Sequence, residues 1–376
     1  MKIGLVAVEE SGDILGANLM AALQKRYPDA TFEGIGGKRM IERGFVSLYP
    51  LERLSVMGLI EPLKRLFEIL NIRKGLKNHF LRTKPAIVIG IDGPDFNLSL
   101  ERTLKNHGLK TVHYVSPTVW AWRKGRIHTI KKAVDLVLTL FPFETKIYQD
   151  NAIPVCFVGH TLADSIPMHS DKTAARLKLG LPADGKIVAI LPGSRRQELN
   201  FLASPFLQTA AILHQKDPSI TFISACANEA RQAQLQEIMR LENAPPVKLF
   251  QDQATLVMAA ADAIILASGT ASLQAMLVKR PTIIAYKMKP WVFAIAKRLV
   301  KVPFIGLPNL LANKMVMPEY IQSEVKPQEM AEQIMTYLSN PELQQGLTKT
   351  YEEIHHLIKQ DAGETAANAI SQLLKE

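Results

Sequence analysis

Short, continuous apolar runs recur along the chain, each closed by a turn and followed by a stretch with helical spacing. "KIGLVAV" (2–8) predicts a first strand, and "SGDILGANLMAALQKRY" (11–27) a helix with Ser11 as its N-cap. "AIVIGI" (86–91) has the unbroken branched apolar content of a strand buried on both faces. "LSLERTLKNHG" (98–108) predicts a helix ending at Gly108, and "KTVHYVS" (110–116), "DLVLTL" (135–140) and "VCFVG" (155–159) continue the strands. A polar segment with prolines, 164–185, reads as a link. A second series then begins at "KIVAILPGSRRQELN" (186–200) and continues through "SITFISA" (219–225), "VKLF" (247–250), "AIILAS" (263–268) and "PTIIAYK" (281–287); from Pro327 onward the pattern is helical. Strand–helix alternation of this kind builds parallel sheets. The expectation is an α/β protein of two Rossmann-like domains, 1–168 and 169–345, with a cleft between them. The helices of 346–376 either pack back on the first domain or exchange between the subunits of a homodimer. In open parallel sheets ligands bind at the carboxyl ends of the strands, so the turns there carry the argument.

Size and composition narrow the class. A chain of 376 residues exceeds what one core usually needs, and 47% hydrophobic with 21% charged residues is ordinary for a globular protein. No apolar run reaches membrane-spanning length, and the N-terminus meets acids too early for a signal peptide. The two cysteines, Cys156 and Cys226, sit in strand-like runs and read as reduced buried thiols. The histidines show no metal-ligand spacing, and no metal site is expected. A net charge of +10 favours anionic partners. Nucleic acid is not expected, because the basic residues form no recognition motif. Two greasy basic stretches do stand out. In 59–80, Leu59, Ile60, Leu63, Leu66, Phe67 and Leu70 share a helical face, and "KMKPWVFAIAKRLVK" (287–301) mixes Trp291, Phe293 and Ile295 with basic residues. Such faces suit an anionic membrane surface or, singly, a core-facing helix.

Four strand ends hold small or hydrogen-bonding residues: "VEESGD" (8–13), "GIDGPDFN" (90–97), "LPGSRR" (191–196) and "ASGTASLQ" (267–274). Helix-start amides carry partial positive charge and bind anions, so Gly193, Ser194 and Arg195 together with Ser268, Gly269 and Thr270 read as a diphosphate site, aided by Arg196 and the Ser272 hydroxyl. There is no GxGxxG after the first strand and no GxxxxGK[ST], which argues against a dinucleotide oxidoreductase and a P-loop NTPase. Asp92 and Asp95 flank a Gly-Pro turn. Asp92, at the end of a buried strand, has the placement of a general base; Asp95 reads as an N-cap near Phe96 or Asn97. The alternative for Asp92 is a structural turn acid.

These segments, with "HYVSPTVWAWRKGR" (113–126), "FVGHTLAD" (157–164) and "LPNLLA" (307–312), resemble in order and over nearly the whole chain the lipid-A-disaccharide synthases of Gram-negative bacteria. The resemblance implies an inverting, metal-independent, cofactor-free GT-B glycosyltransferase. It would transfer 2,3-diacylglucosamine from UDP-2,3-diacylglucosamine to 2,3-diacylglucosamine 1-phosphate, giving a β(1→6) disaccharide 1-phosphate and UDP. It would act as a peripheral enzyme on the cytoplasmic face of the inner membrane. The resemblance also points at Asp92 as the base; His113 is a second candidate, though it reads first as an ordinary packed histidine within a strand. Arg195, Ser194 and the amides of 268–270 would stabilise the departing diphosphate, and Asn309 would face the cleft. Glu9, Ser11, Asp13, His113 and Ser116 would shape the acceptor pocket. The chain departs from the family pattern at Val8–Asp13 and at Gln274, where a carboxylate usually meets the ribose; Gln offers no charged bidentate acceptor. Rival readings are another UDP-sugar GT-B enzyme, of peptidoglycan-transferase or UDP-GlcNAc 2-epimerase type, and a non-enzymatic binder of anionic lipid.

Overall fold

The computed structural model describes residues 1–54, 61–121, 125–300 and 302–376, with the side chains of 61–65 set aside. The chain divides into two compact units, Met1–Asp164 with Ile358–Glu376, and Ser165–Leu357.

The first unit is built on β1 (Lys2–Ala7), β2 (Thr31–Ile35), β3 (Val46–Ser47), β4 (Ile87–Ile91), β5 (Thr111–Tyr114), β6 (Leu136–Thr139) and β7 (Val155–Phe157). They form one parallel sheet in the order β3-β2-β1-β4-β5-β6-β7. The central pairing runs from Ile3 opposite Ile87 to Ala7 opposite Ile91, and every residue of β4 is buried. That is why β4 reads as a continuous apolar run rather than an alternating one. The second unit contains β8 (Ile187–Leu191), β9 (Thr221–Cys226), β10 (Val247–Gln251), β11 (Ala263–Ala267), β12 (Thr282–Tyr286) and β13 (Glu319–Ile321). Its parallel order is β10-β9-β8-β11-β12-β13. Each sheet therefore reverses its direction of growth once, between β1 and β4 and between β8 and β11. Helices cross over to opposite faces at such a point, which leaves a crevice at the carboxyl ends of the two strands.

Several boundaries differ from expectation for identifiable reasons. The first helix spans Glu10–Arg26 with Glu9 at its N-cap position, so Ser11 lies inside it and caps nothing. The helix after β4 starts at Pro94, whose ring pre-sets the first helical φ, and Gly93 is its N-cap; Asp95 is inside the helix and pairs with Arg126. β5 ends at Tyr114 because Val115 takes a left-handed φ of 82°. The segment 164–185 is integral to the second unit. It carries the helix Lys172–Lys178, whose Arg176 is buried and donates to Ala260 O, Ala183 O and the Asp262 carboxylate at 3.0, 2.7 and 2.7 Å.

The chain leaves the first unit after Asp164 rather than at 168, and helix Pro341–Ile358 belongs mostly to the second unit. Only the last helix, Ala362–Lys375, returns, so the returning piece is shorter than 346–376. Asp164 accepts the Asp361 and Ala362 amides at 3.0 and 2.7 Å, and Glu364 pairs with Lys25 and Arg26 at 2.9 and 2.8 Å on the first helix.

Candidate active site

The four turns singled out in the sequence are the two pairs of turns that follow the strands flanking each reversal. In the first unit these are the turn after β1 and the turn after β4. In the second they follow β8 and β11.

The turn after β4 is under backbone constraint. Asp92 and Gly93 both take left-handed conformations, with φ of 55° and 51°. A side chain at Gly93 would run into Val8, which explains the glycine; the aspartate is tolerated because its Oδ1 accepts the Gly93 amide at 2.8 Å. Asp92 N donates to Tyr114 O at 2.8 Å. Asn97, fully buried in the first turns of the following helix, donates from Nδ2 to Asp92 O at 2.8 Å and to Val6 O at 3.1 Å. Bonds to β5 and to Asn97, itself tied to β1, thus fix the backbone of this half-buried residue, and the Gly93 amide holds its carboxylate. Local strain over-determined by its surroundings is a recurring feature of catalytic positions.

The other first-unit candidates fall into two groups. Glu9 and Ser11 are exposed at the start of the first helix. Asp13, His113 and Ser116 are interior. Asp13 is 2% exposed, and its carboxylate accepts the amides of Gly37, Arg39 and Met40 at 2.8, 2.9 and 3.1 Å, capping the short helix Lys38–Ile41. His113 is fully buried with Nδ1 2.8 Å from Glu101 Oε1; burial raises the Glu101 pKa, opposed by the histidine. Ser116 donates to Pro117 O or meets the Tyr148 hydroxyl at 2.7 Å. These three are therefore interior groups of the first unit and present no solvent-facing side chain. His113 is thereby displaced as an alternative base.

In the second unit a pocket of about 400 Å³ is lined by Gly193, Ser194, Arg195, Ser268, Gly269, Thr270 and Gln274. Arg196 is not among its lining residues, and Ser272 is fully buried with its hydroxyl turned onto Gly269 O at 2.7 Å. Asn309 is also fully buried. Its Oδ1 accepts the Val316 and Met317 amides at 2.8 and 2.9 Å, while Nδ2 donates to Met317 O and Glu319, both at 2.7 Å. Its hydrogen-bonding capacity is used within the fold, so it braces a loop instead of facing a ligand.

Two pocket carboxylates were not anticipated. Glu198 accepts the Ser194 and Arg195 amides at 3.0 and 3.1 Å, and a side chain on Gly193, whose φ is 121°, would collide with it. Glu198 is the third residue of its helix, a place from which an acid reaches back to the preceding amides, and that position is the signal that would have found it. Asp252, with φ 50° in the turn after β10, also lines the pocket; that turn lacks the glycine and serine content that drew notice elsewhere. The two helix starts at this pocket are therefore unequal. Glu198 covers the amides after β8. At helix Thr270–Leu277 the Ser268 amide donates to Ala285 O at 2.9 Å and the Ser272 amide to Gly269 O at 3.0 Å, so of the expected cradle the amides of 269–271 are those left toward a ligand anion among the described residues. Arg195, with its side chain largely exposed, stands beside them.

The model of the lipid-A-disaccharide synthetase family matches residues 3–372. The chain belongs to this family. A lipid-A-disaccharide synthase of Cellvibrio japonicus is 50% identical over 375 residues, covering 100% of this chain and 98% of its own. One from Pseudomonas aeruginosa is 46% identical over 375 residues, with 100% and 98% covered. Among solved structures, UDP-GlcNAc 2-epimerase from Neisseria meningitidis bound to UDP-GlcNAc matches with a TM-score of 0.62 at 16% identity, covering 100% of both chains. Acinetobacter baumannii MurG matches at 0.59 and 14% identity, covering 99% of each. At such identities the likeness carries the fold alone. The family's fold class is GT-B, with two parallel-sheet α/β domains.

Proposed function

We propose that the chain is a lipid-A-disaccharide synthase that transfers 2,3-diacylglucosamine from UDP-2,3-diacylglucosamine to 2,3-diacylglucosamine 1-phosphate. The acceptor's primary hydroxyl oxygen attacks the donor's anomeric carbon from the face opposite UDP. The carbon–oxygen bond to the diphosphate breaks, the configuration inverts, and UDP leaves with the bonding electron pair. The hydroxyl proton passes to Asp92 and then to solvent. The arginine of Arg195, the Ser194 hydroxyl and the open amides of 269–271 receive the charge developing on the diphosphate.

One observation carries this reading: full-length family membership in a chain whose two sheet reversals bear complementary chemistry, a fixed carboxylate on one and open amides with a cation on the other. The decisive assay follows UDP release from UDP-diacylglucosamine with and without the acylated sugar phosphate, in the native chain and in Asp92→Ala. Release that ignores the acceptor, or survives the substitution unchanged, defeats the reading.

Both substrates are lipids, and we assign the exposed apolar surfaces to docking on an anionic bilayer, at the cytoplasmic face of the inner membrane. Helix Pro290–Leu299 has no buried residue, with Trp291 62% exposed in its first turn and Lys297 and Arg298 in its last. On helix Glu61–Thr83, Leu66, Phe67 and Leu70 are exposed while Ile72, Leu76 and Phe80 anchor its far end in the core. Leu59 and Ile60, like Lys301, lie outside the described residues, and the side chains of Leu63, Lys64 and Arg65 are set aside. Among the described residues no helix is long and apolar enough to cross a membrane. Co-sedimentation with vesicles containing anionic lipid tests the assignment; a protein that stays in solution at low salt overturns it.

A further inference from the structure

The carboxyl edge of the first sheet carries a feature that the transfer chemistry leaves unused. Beyond Asp92, in the turns after β5, β6 and β7, four rings lie in sequence. Trp120 meets Phe143 edge-to-face with centroids 5.0 Å apart and planes at 81°. Phe143 stacks on Phe141 at 5.6 Å and 5°, and Phe141 lies 5.5 Å from the His160 ring. Phe141 and His160 are buried; Trp120 and Phe143 are only half-buried.

Beneath them sits Glu144, 4% exposed. Its Oε1 accepts the Trp120 indole N–H at 3.3 Å and its Oε2 the Phe141 amide at 3.1 Å. Ser116 also hydrogen-bonds to it, and Ser116 in turn meets the Tyr148 hydroxyl. Burial pushes the Glu144 pKa up to about 8, so the acid is neutral at ordinary pH and holds both turns without placing a charge under the rings. The core needs no half-exposed indole here. A tryptophan with its N–H tied down from below and part of its ring left to solvent is a rigid apolar surface, and the ordering is complete before any ligand arrives.

We propose that the Trp120–Phe143 pair is the platform on which the apolar C–H face of the acceptor's glucosamine ring rests, with Glu144 as its positioning residue. This rests on the transferase reading above and names the acceptor subsite within it. The topology supplies the reach. Neighbouring strands lie about 4.8 Å apart, so the turns after β5 and β6 begin roughly 5 and 10 Å from the Asp92 turn, the span of one hexose. Asp92 N is itself bonded to the last residue of β5, which fixes base and platform to one edge.

The test varies donor and acceptor separately in mixed micelles. Trp120→Ala is expected to raise the acceptor KM about tenfold and leave the donor KM within about twofold. Trp120→Phe retains a ring and most of the affinity. Glu144→Gln, which keeps a neutral acceptor for the indole, behaves like the native chain, whereas Glu144→Ala follows Trp120→Ala. An unchanged acceptor KM in Trp120→Ala with turnover intact overturns the platform and leaves the transferase standing. A native chain that releases no UDP with any acylated sugar phosphate defeats the transferase reading instead. Direct binding gives a second readout: in a chain bearing Trp122→Phe and Trp291→Phe, only Trp120 emits. Its emission is expected to shift saturably with 2,3-diacylglucosamine 1-phosphate and, at higher concentration, with glucosamine 1-phosphate lacking acyl chains. No shift, or a shift only with a sugar-free acyl phosphate, overturns the ring as occupant.

Discussion

The two sheets are alike in topology and unlike in what they place at their carboxyl edges. The first presents side chains fixed by buried polar contacts: Asp92 held through Asn97 and Gly93, Trp120 held through Glu144. The second presents backbone: the start of helix Thr270–Leu277, with Arg195 the neighbouring cation. The difference follows from the chemistry each edge would serve. Taking a proton requires one group at one place, and a group is held to a place by many bonds. Receiving diffuse charge on a diphosphate requires several modest dipoles, which a helix start provides without side chains.

The contrast breaks most sharply at Asp92. Asp92→Asn keeps the side-chain oxygen that accepts the Gly93 amide and removes the base. Turnover is expected to fall about 10²–10⁴-fold, with UDP affinity unchanged. Equal kcat in the two proteins would make Asp92 a turn residue only.

A smaller break is expected in the second unit because the charge is shared. Arg195→Ala removes one charge-assisted contact, about 2 kcal/mol or roughly thirtyfold in donor kcat/KM. Folding should hardly change, since the side chain is exposed and its partner Glu198 keeps its amide bonds. Unaltered donor kinetics would remove the arginine from the site and leave the open amides alone.

The frame of both sheets is legible in the sequence because buried parallel strands and their small-residue turns are both written locally. All four turns lie beside the two sheet reversals, although the reversals cannot be read from any single segment. β2, with Gly34 interrupting "TFEGI", and the short β3 and β13 went unread because each is stabilised by neighbours rather than by its own pattern. Side-chain direction was the weaker inference. Asp13, His113 and Asn309 lie in the right segments and face inward, because a polar residue in a sheet-edge motif serves equally to bind a ligand or to satisfy buried amides. Glu144 and Glu198 were passed over for the converse reason: an acid three positions after a turn looks like an ordinary cap until its other contacts are known.

Glu144 sharpens the contrast through pH. Its folded pKa, about 8, lies above the ordinary 4.5 through burial, so between these values the folded chain keeps a proton that the unfolded chain releases. Its contribution to stability therefore falls as pH rises through that window. The facing groups are the Trp120 indole, the Ser116 hydroxyl and the Tyr148 phenol, whose own pKa burial raises beyond the range concerned. His160, lowered to about 4 by burial, acts in the opposite sense, gaining stability as pH rises from 4 toward 6.5. Comparing native and Glu144→Gln proteins by urea denaturation cancels that term. The variant should gain on the native chain by about 1 kcal/mol per pH unit through the window. Parallel pH profiles would mean Glu144 is already ionised in the fold.

The smallest effect is expected at Gln274. A carboxylate there accepts two ribose hydroxyls at once, a stronger arrangement than the single acceptor oxygen of glutamine. Glu198 and Asp252 already line the same pocket, however, and the ligand itself is anionic. A third acid gains hydrogen-bond strength and adds repulsion, so Gln274→Glu should lower the donor KM by only about threefold. Inhibition by UDP and by 2′-deoxy-UDP separates the two contributions, because repulsion acts on both and the ribose bond on one. The variant should discriminate between them more strongly than the native chain. Identical discrimination would turn Gln274 away from the ribose and leave Asp252, which lines the same pocket from the turn after β10, as the carboxylate positioned to replace it.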